Sequence, residues 1–491
     1  MAVAAWFLVT FTVLALLRWR TPFELEWIEG GMVDQVRRIV AGRQLYGPPS
    51  TTFTPFIYTP LYSYVAAGVS WLAGDGYAPL RLVSLLSSLA AMATVGWWVT
   101  KETGERWAGL VAAGFLAGCF RVGGSWFDLA RVDSLFLALV LSGLCMARFA
   151  PSRRRTAIAA AVMVLAVFTK QEAFLPALAP LPFLWRRDRS WAAAYAGTLA
   201  IGLVAGAVAL QTSSHGWFLY YAIEVPLAHE LIAGEVLRFW TGDMLRLAPA
   251  LAVGAGGLLL AWRAGSQPAG DRGPSDRVWF LVPAWVAMVG AAWSGRVHSG
   301  GFDNVLLPAL AITAVVLGIG LAWLLKAAPH DRARAASSPW LAGVATLAVL
   351  GQFALVAYNP ARELPRHSDA ARARQLEAVL RQLPGPVYLP GHGWYLARAG
   401  RPTGAQSAAM ADVLRGPEGA AKSRLRAELD GKIEHRWFGA VVVDSTSALS
   451  YLPAHFDRYY CRSRSLYDRG RLLPLIGTRT GPLTVWLPCR T

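Results

Sequence analysis

Three glutamates follow the first apolar stretch of the chain, and they are the residues best suited to acid–base chemistry. Glu24, Glu26 and Glu29 lie in residues 24–31, whose sequence is ELEWIEGG. Glu26 and Glu29 are three residues apart, so on a helical turn they would share one face. A carboxylate there could take the proton from a hydroxyl group or help to hold a metal ion. The alternative is an acidic cluster that complements the dipole of a following helix.

Two later junctions between apolar stretches carry cations that could bind a phosphate group. Arg131 stands two residues before Asp133, which would orient the guanidinium or face the reaction centre. Lys170 lies among apolar residues, and an ionisable side chain at membrane depth indicates a functional site. The alternatives are an interfacial turn with an Arg–Asp pair, and a lysine that snorkels to the membrane surface beside Glu172.

A third junction carries Arg296 and His298 before the paired glycines of residues 300–301. The glycines would allow a close approach of the backbone to a ligand or a helix, although a glycine turn capped by Asp303 is the simpler explanation. Carboxylates from the first loop and cations from three later junctions could together accommodate an anionic lipid phosphate and an acid–base reaction.

The composition is that of a helical membrane protein. Of 491 residues, 55% are hydrophobic and only 16% are charged, whereas a soluble chain has about 25% charged residues. The apolar runs are continuous, which predicts membrane-spanning helices rather than a barrel. The net charge of +17 collects partly in short loops that the positive-inside rule places in the cytoplasm. With no nucleic-acid-binding motif, we do not expect a nucleic acid partner.

The apolar runs predict eleven membrane spans, with basic loops after the fourth, sixth, eighth and tenth. Placing these loops inside puts the amino terminus in the cytoplasm and residues 359–491 outside. Residues 264–276 and 327–339 would be cytoplasmic loops. The predicted spans are 2–18, 79–99, 107–122, 133–149, 156–169, 172–185, 191–211, 246–262, 278–293, 304–325 and 340–358.

Three polar segments are predicted on the exterior side: residues 19–78, 212–246 and 359–491. In the first, residues 30–40 have the apolar spacing of an amphipathic helix, which we expect along the membrane interface. The last has the composition of a small soluble α/β domain, with a helix at 370–382 and strands at 385–389 and 440–444.

The four cysteines divide between the two predicted domains, residues 1–358 and 359–491. Cys119 and Cys145 lie in apolar spans, where we expect small buried hydrophobic residues. Cys461 and Cys489 could form a disulfide if the second domain is extracytoplasmic. The chain contains no P-loop, HExxH, CxxC or GxSxG motif, which disfavours ATP-driven transport and zinc proteolysis.

Six short motifs in order along residues 1–325 resemble the GT-C superfamily of membrane glycosyltransferases. The resemblance is closest to the family-39-like group that includes protein O-mannosyltransferases and lipid A aminoarabinose transferases. The motifs are residues 26–31 (EWIEGG), 42–46 (GRQLY), 58–62 (YTPLY), 130–134 (ARVDS), 168–171 (FTKQ) and 300–304 (GGFDN).

The resemblance implies an all-α GT-C-like enzyme that moves a sugar from a polyprenyl-phosphate donor to an exterior lipid, glycan or protein acceptor. Glu29 matches the family's proposed base best, with Glu26 as substitute, although Ile28 stands where many relatives have an aspartate. Arg131, Lys170 and Arg296 match places where relatives bring positive charge to the lipid phosphate. Some relatives need a divalent metal, so a metal is possible and its ligands are unknown.

Two other functions fit the same features. A transporter or flippase of lipid-linked glycans would also be a polytopic helical protein, but transporters concentrate polar residues near the midplane and have repeated halves. Here the polar residues concentrate at the exterior boundary. A relative without catalysis could instead act as a scaffold for cell-envelope assembly through its carboxyl-terminal domain.

Overall fold

A computed structural model describes residues 1–263, 274–326, 338–444, 452–453, 455–467 and 470–489. Most of the two predicted cytoplasmic loops, 264–276 and 327–339, therefore lies outside the described residues. The described part is dominated by helices, with one small sheet near the carboxyl terminus.

The helical elements begin at Ala2 and continue to residue 459. The amino-terminal series is α1 (Ala2–Trp19), α2 (Glu29–Val40), α3 (Leu61–Ala73), α4 (Tyr77–Thr103), α5 (Arg106–Gly118), α6 (Asp133–Arg148), α7 (Arg153–Val167), α8 (Phe174–Leu178), α9 (Leu181–Arg187) and α10 (Arg189–Ser213). The middle series is α11 (Trp217–Leu219), α12 (Val225–Leu227), α13 (Ala233–Arg238), α14 (Ala248–Arg263), α15 (Pro274–Val297), α16 (Leu307–Lys326) and α17 (Ser338–Leu355). The carboxyl-terminal helices are α18 (His367–Gln382), α19 (Trp394–Arg398), α20 (Ser407–Arg415), α21 (Ala420–Glu434) and α22 (Phe456–Tyr459).

The protein is a polytopic helical membrane protein, but the predicted count of eleven spans is not confirmed. Within the described ranges, 6 helices are long and apolar enough to cross a membrane, or up to 7 if a bent pair is one span. The six are Ala2–Trp19, Tyr77–Thr103, Arg189–Ser213, Ala233–Arg263, Asp276–Val297 and Asp303–Lys326, and the pair is Trp340–Leu355 with Pro360–Gln382.

The remaining predicted spans correspond to shorter helical segments. Helices α5, α6 and α7 have 13, 16 and 15 residues. The span predicted at 172–185 is broken into α8 and α9 at Pro180, where a proline cannot continue the helical hydrogen-bond pattern. The span predicted at 246–262 begins earlier, because π-helical turns at Phe239–Met244 join α13 to α14.

The membrane part packs around α16, whose most apolar stretch is completely buried. The backbones of α14 and α16 are in direct contact. A Cβ atom at Gly257 would lie 1.9 Å from the carbonyl oxygen of Gly320, and one at Gly320 would lie 2.3 Å from that of Gly254. Small residues allow membrane helices to approach so closely, since lipid supplies no hydrophobic force between them.

Helix α2 forms where the amphipathic pattern predicts it, but it does not present its apolar face to the membrane interface. Met32, Val33 and Val36 are at most 2% exposed. They pack with Tyr62 of α3 and Ala409 of α20 in one apolar cluster. The apolar face is therefore covered by protein, and the predicted interfacial position is corrected.

The carboxyl-terminal residues form a four-stranded sheet with the order β1-β2-β4-β3. The strands are β1 (Val387–Tyr388), β2 (Ala440–Val443), β3 (Tyr460–Ser465) and β4 (Thr484–Pro488). Strand β1 is parallel to β2, and β4 is antiparallel to both β2 and β3. Leucines of α18 pack with one face of the sheet and leucines of α21 with the other. The two predicted strands thus belong to a small α/β unit. A disulfide links Cys461 to Cys489, the pair that the sequence left open.

This unit is hydrogen-bonded to residues 19–78, the segment that the sequence predicts as the first exterior loop. The amide of Ile476 donates to the carbonyl of Leu25 at 2.9 Å, and the amide of Ala405 donates to the carbonyl of Thr51 at 2.9 Å. Glu428 accepts a hydrogen bond from the hydroxyl of Thr51 at 2.6 Å. Residues distant in sequence therefore build this part of the molecule together.

The contact between α14 and α16 predicts a steep sensitivity to added volume. We expect Gly257→Ala and Gly320→Ala each to lower the free energy of unfolding by about 1–3 kcal/mol, because a methyl group must force the backbones apart. Thermal unfolding in detergent measures the effect. Gly256→Ala is the matched control, since no atom outside its own helix lies within 4 Å of the added Cβ. Equal effects at positions 256 and 257 would contradict the packing argument.

Candidate active site

The three glutamates of the first loop are all buried. Glu24 is 3% exposed, and Glu26 and Glu29 are 0% exposed. They lie in the turn between α1 and α2, which is closed by a hydrogen bond from the amide of Glu29 to the carbonyl of Glu26 at 3.1 Å. Each carboxylate has a different basic partner: His392 for Glu24, Arg131 for Glu26 and Arg81 for Glu29. The three carboxylates therefore differ in the hydrogen bonds that they accept.

Glu29 is saturated with hydrogen bonds. Arg81 donates to both of its oxygens, at 2.9 Å from Nε and 2.6 Å from Nη2. The amides of Ala130 and Leu25 each donate at 2.8 Å. Burial raises the pKa of Glu29, but Arg81 and these hydrogen bonds outweigh burial and hold the pKa below its usual value. A carboxylate so fully engaged is a poor acceptor for a substrate proton, and its geometry is that of a structural link.

Glu26 has one oxygen engaged and one oxygen free. Its Oε2 accepts from Arg131 Nη1 at 2.9 Å and from the amide of Ile28 at 3.3 Å. Its Oε1 is buried without a hydrogen-bond partner among the described residues. Burial raises the pKa of Glu26 to about 7, although Arg131 opposes the shift. A carboxylate with a free oxygen and a pKa near neutrality suits a general base.

Asp133 and Lys170 meet where α6 begins and α7 has just ended. Lys170 Nζ lies 3.0 Å from Asp133 Oδ1 and 2.7 Å from Glu172 Oε2. Asn304 donates to the same Asp133 oxygen at 2.9 Å. The lysine and the aspartate are 3% and 1% exposed, so Lys170 does not snorkel to the surface but is paired inside the protein.

The segment 19–78, which carries Glu26, is hydrogen-bonded to the residues around Lys170. The amide of Leu61 donates to the carbonyl of Phe168 at 2.7 Å, and Gln171 donates to the carbonyl of Ile57 at 2.9 Å. This pairing places Tyr58 in the site, where its hydroxyl accepts from Arg131 Nη2 at 2.7 Å. Residues of five of the six motifs therefore converge on one buried cluster.

Three atoms of this cluster lack a partner among the residues described. They are Glu26 Oε1, Arg131 Nε and Asp133 Oδ2, all buried. A buried polar atom without a partner costs free energy, which a ligand that pairs with it would offset. The cluster thus offers an acceptor beside a donor, which suits a substrate that brings both a proton and an anionic group.

Arg296 and His298 lie beside this cluster and are occupied by other partners. Arg296 forms ion pairs with Asp243 at 2.8 Å and Asp303 at 3.0 Å. His298 Nδ1 contacts the carbonyl of Ser294 at 2.6 Å. A Cβ at Gly295 would lie 3.5 Å from Glu172 Oε1, so this segment borders the Lys170 region. None of the described contacts joins His298 directly to Glu26 or Arg131.

Glu24 links the first loop to the carboxyl-terminal unit through a buried histidine. His392 contacts Glu24 Oε2 through Nδ1 and Asp444 Oδ2 through Nε2, the latter at 3.2 Å. Burial lowers the pKa of His392, but the two carboxylates outweigh burial and raise the pKa well above its usual value. The charged triad holds the loop that carries Glu26 against the carboxyl-terminal sheet.

The described side chains do not form a metal site. No group of three or more His, Cys, Asp and Glu side chains is arranged to hold a metal ion in the described part of the chain. Glu26, Glu29 and Asp133 are each paired with a buried cation, and we assign no step of the chemistry to a metal.

The chain is similar to a family of glycosyltransferases and to solved structures that share its fold. The model of Glycosyltransferase family 87 matches residues 56–293, which contain Tyr58, Arg131, Asp133 and Lys170. The structure of ArnT from Cupriavidus metallidurans bound to undecaprenyl phosphate has a TM-score of 0.56 at 14% identity and covers 98% of this chain and 97% of that chain. The chain has the GT-C fold.

Further structures with the GT-C fold agree. ArnT from Cupriavidus metallidurans in the apo state gives a TM-score of 0.56 at 15% identity and covers 99% of this chain and 98% of that one. The oligosaccharyltransferase from Archaeoglobus fulgidus in complex with Zn and sulfate gives 0.51 at 12% identity, over 92% of this chain and 71% of that chain. No curated protein matches the sequence. The predicted GT-C resemblance is confirmed.

Several residues that build the site on this GT-C fold were missed by sequence reasoning. Arg81 lies inside a predicted apolar span, and a lone arginine there was a signal for a buried partner. Tyr58 and Asn304 lie in motifs of the resemblance but carried no predicted role. The pairing of His392 with Glu24 joins positions 368 residues apart, and no local motif signals it.

The different environments of the ion pairs predict different contributions to stability. We expect Glu29→Gln to lower the free energy of unfolding by about 3–5 kcal/mol, because Arg81 is left as a buried charge with a lost partner. Asp369→Asn is the control. It breaks the pair with Arg372, whose side chain is 28% exposed, and should cost less than about 1 kcal/mol. Thermal unfolding of both variants in detergent tests this, and comparable losses would argue against the structural role of Glu29.

Proposed function

We propose that this chain is a glycosyltransferase that moves a sugar from a polyprenyl-phosphate-linked donor to an acceptor on the exterior face of the membrane. The observation that carries the proposal is the buried cluster of Glu26, Arg131, Asp133 and Lys170, assembled from separate motifs on a GT-C fold. The similar ArnT structure is bound to undecaprenyl phosphate, which supports a lipid phosphate as the ligand class.

Glu26 is the base in this proposal, and Glu29 keeps the loop in place. As the acceptor oxygen attacks the anomeric carbon, its proton passes to the free Oε1 of Glu26. The bond between that carbon and the phosphate oxygen breaks, and the electron pair leaves with the polyprenyl phosphate. Direct displacement inverts the configuration at the anomeric carbon. Glu29 matches the family pattern better in sequence, but Glu26, unlike Glu29, has an oxygen without a hydrogen-bond partner among the described residues.

Arg131 and Lys170 stabilise the departing phosphate. Charge develops on the leaving group as its bond to the sugar breaks, and preorganised cations in a dry site stabilise such charge strongly. Asp133 and Glu172 hold the Lys170 ammonium from two sides, while Tyr58 and Glu26 hold Arg131. The cations are therefore positioned before the substrate arrives.

An exterior active site is part of the proposal. Two observations support it: the basic short loops favour the opposite, cytoplasmic side, and the carboxyl-terminal unit that packs on the first loop contains the Cys461–Cys489 disulfide. Disulfides persist in oxidising compartments outside the cytosol. We infer a bacterial inner-membrane location with a cytoplasmic amino terminus.

The decisive experiment measures donor consumption by the purified full chain in nanodiscs. A panel of polyprenyl-phosphate monosaccharides is supplied with an extract of membrane lipids and peptides as acceptors. Glu26→Gln should reduce consumption by about 10²–10⁴-fold, because the base is lost while the shape is kept. Lys170→Ala should also impair it, through weaker stabilisation of the leaving phosphate.

The control is Glu418→Gln, a change of the same kind at a side chain that is 85% exposed, and it should keep wild-type consumption. Full activity in Glu26→Gln would reject Glu26 as the base. If no donor is consumed and the protein moves a lipid-linked glycan across liposome membranes, the transferase function is rejected in favour of a transporter.

The pKa of Glu26 predicts the pH dependence of transfer. With a pKa of about 7, the carboxylate is the minor form below neutrality, so the rate at limiting substrate should fall about tenfold for each pH unit below 7 and level off above it. Arg131 lowers this pKa, so its removal must raise it. We expect Arg131→Gln to move the midpoint of the remaining activity to higher pH. An unchanged midpoint would show that the group titrating in the pH profile is not the Glu26 carboxylate paired with Arg131.

A further inference from the structure

An arginine-rich cleft lies between the first exterior loop and the carboxyl-terminal unit. Its volume is about 500 Å³, which is enough for a headgroup or a small glycan. One wall is formed by residues 23–25, directly before Glu26, and another by residues 361–366. Its arginines are Arg121, Arg362, Arg366, Arg372, Arg471 and Arg479. We call this feature the arginine cleft.

The positive charge of the arginine cleft is only partly neutralised. Arg121 lies 3.4 Å from Glu363, and Arg372 lies 3.1 Å from Asp369. Glu24, the third carboxylate of the lining, is paired with His392. Within the described ranges, no ion pair to a carboxylate involves the other four arginines of the lining. One of these, Arg471, acts on Asp444 only at longer range.

Several like charges facing one cavity repel one another unless an anion enters. A guanidinium binds phosphate or carboxylate through two parallel hydrogen bonds, so a ligand with more than one anionic oxygen matches this lining best. The cleft is too small for a nucleic acid duplex. Its chemistry therefore points to a compact phosphorylated or carboxylated group.

The arginine cleft adjoins the proposed catalytic loop. Leu25 contributes to the cleft wall, and its amide donates to Glu29 Oε2 at 2.8 Å. Its carbonyl accepts from Ile476 of the carboxyl-terminal unit at 2.9 Å. A group bound in the cleft would thus rest on the outer side of the same loop whose inner side carries Glu26.

We propose that the arginine cleft binds an anionic group of the acceptor and so selects phosphorylated or carboxylated acceptors. This inference rests on the proposed transferase function and names the acceptor class for it. The anionic group belongs either to the headgroup of a membrane lipid or to a glycan, and the two sources share the same recognition by arginine.

The test uses inorganic pyrophosphate as probe and the full chain in phosphatidylcholine nanodiscs, with binding measured by titration calorimetry. Arg362→Gln with Arg479→Gln, and Arg366→Gln with Arg471→Gln, form two double variants. We expect each to weaken pyrophosphate binding by about tenfold or more, because charge-assisted hydrogen bonds are lost. Unchanged thermal unfolding midpoints would show that both variants remain folded.

Two controls locate the binding. Arg424→Gln with Arg458→Gln removes two exposed arginines elsewhere in the carboxyl-terminal unit and should leave the affinity within about twofold. Lys170→Ala reports on the separate, proposed donor site, and the binding event that the cleft variants weaken should persist in it. Wild-type affinity in both cleft double variants, or a loss of affinity in Lys170→Ala alone, would overturn the proposal.

Competition identifies the source of the anion, and kinetics separate this proposal from the transferase itself. A short-chain phosphatidic acid that competes better than glucose 6-phosphate indicates a lipid headgroup, and the reverse order indicates a glycan. With an active donor and acceptor pair, the cleft variants should raise the acceptor KM with little change in kcat. Pyrophosphate binding without any donor consumption would reject the transferase function but keep the anion-binding role of the arginine cleft. Normal acceptor kinetics in the cleft variants would reject the acceptor-binding role of the cleft and leave the transferase function standing.

Discussion

The buried ion pair between Glu29 and Arg81 is the interaction on which the arrangement of the candidate site depends. It joins the first loop to α4, and the amide of Ala130 joins the same carboxylate to the segment before α6. Both side chains are at most 1% exposed, so separating them would strand a charge in a medium of low dielectric. Because this pair fixes the loop, the positions of Leu25, Glu26 and Ala130 follow from it.

Once the loop is fixed, two glutamates three residues apart acquire opposite properties. Glu29 accepts hydrogen bonds on both oxygens and has a lowered pKa, whereas Glu26 keeps one oxygen free and has a raised pKa. Burial is the same for both. The difference arises from the number and geometry of their donors, since a charged carboxylate is stabilised only by the groups that point at it.

The carboxyl-terminal unit packs against the loop that carries the glutamates. His392, Ile476 and Gln406 contact the turn that carries the glutamates, and the arginine cleft lies along the same boundary. The arginines of the cleft therefore lie next to the loop that we propose for catalysis. In our proposal, this arrangement lets the unit help to present an acceptor.

The sequence by itself determined the class of the molecule, because continuous apolar runs, helical spacing in residues 30–40 and the valine run at 441–443 act through local and compositional rules. It also identified most charged residues of the site, since a carboxylate, arginine or lysine beside a membrane span is costly without a purpose. Only the tertiary structure decided which of them meet. Arg81 with Glu29, Tyr58 with Arg131 and Glu24 with His392 are pairs separated by 52, 73 and 368 residues. Such contacts depend on how helices and loops pack, and no local spacing records them. For the same reason the sequence could not choose between Glu26 and Glu29, whose difference lies entirely in the partners that packing brings to them.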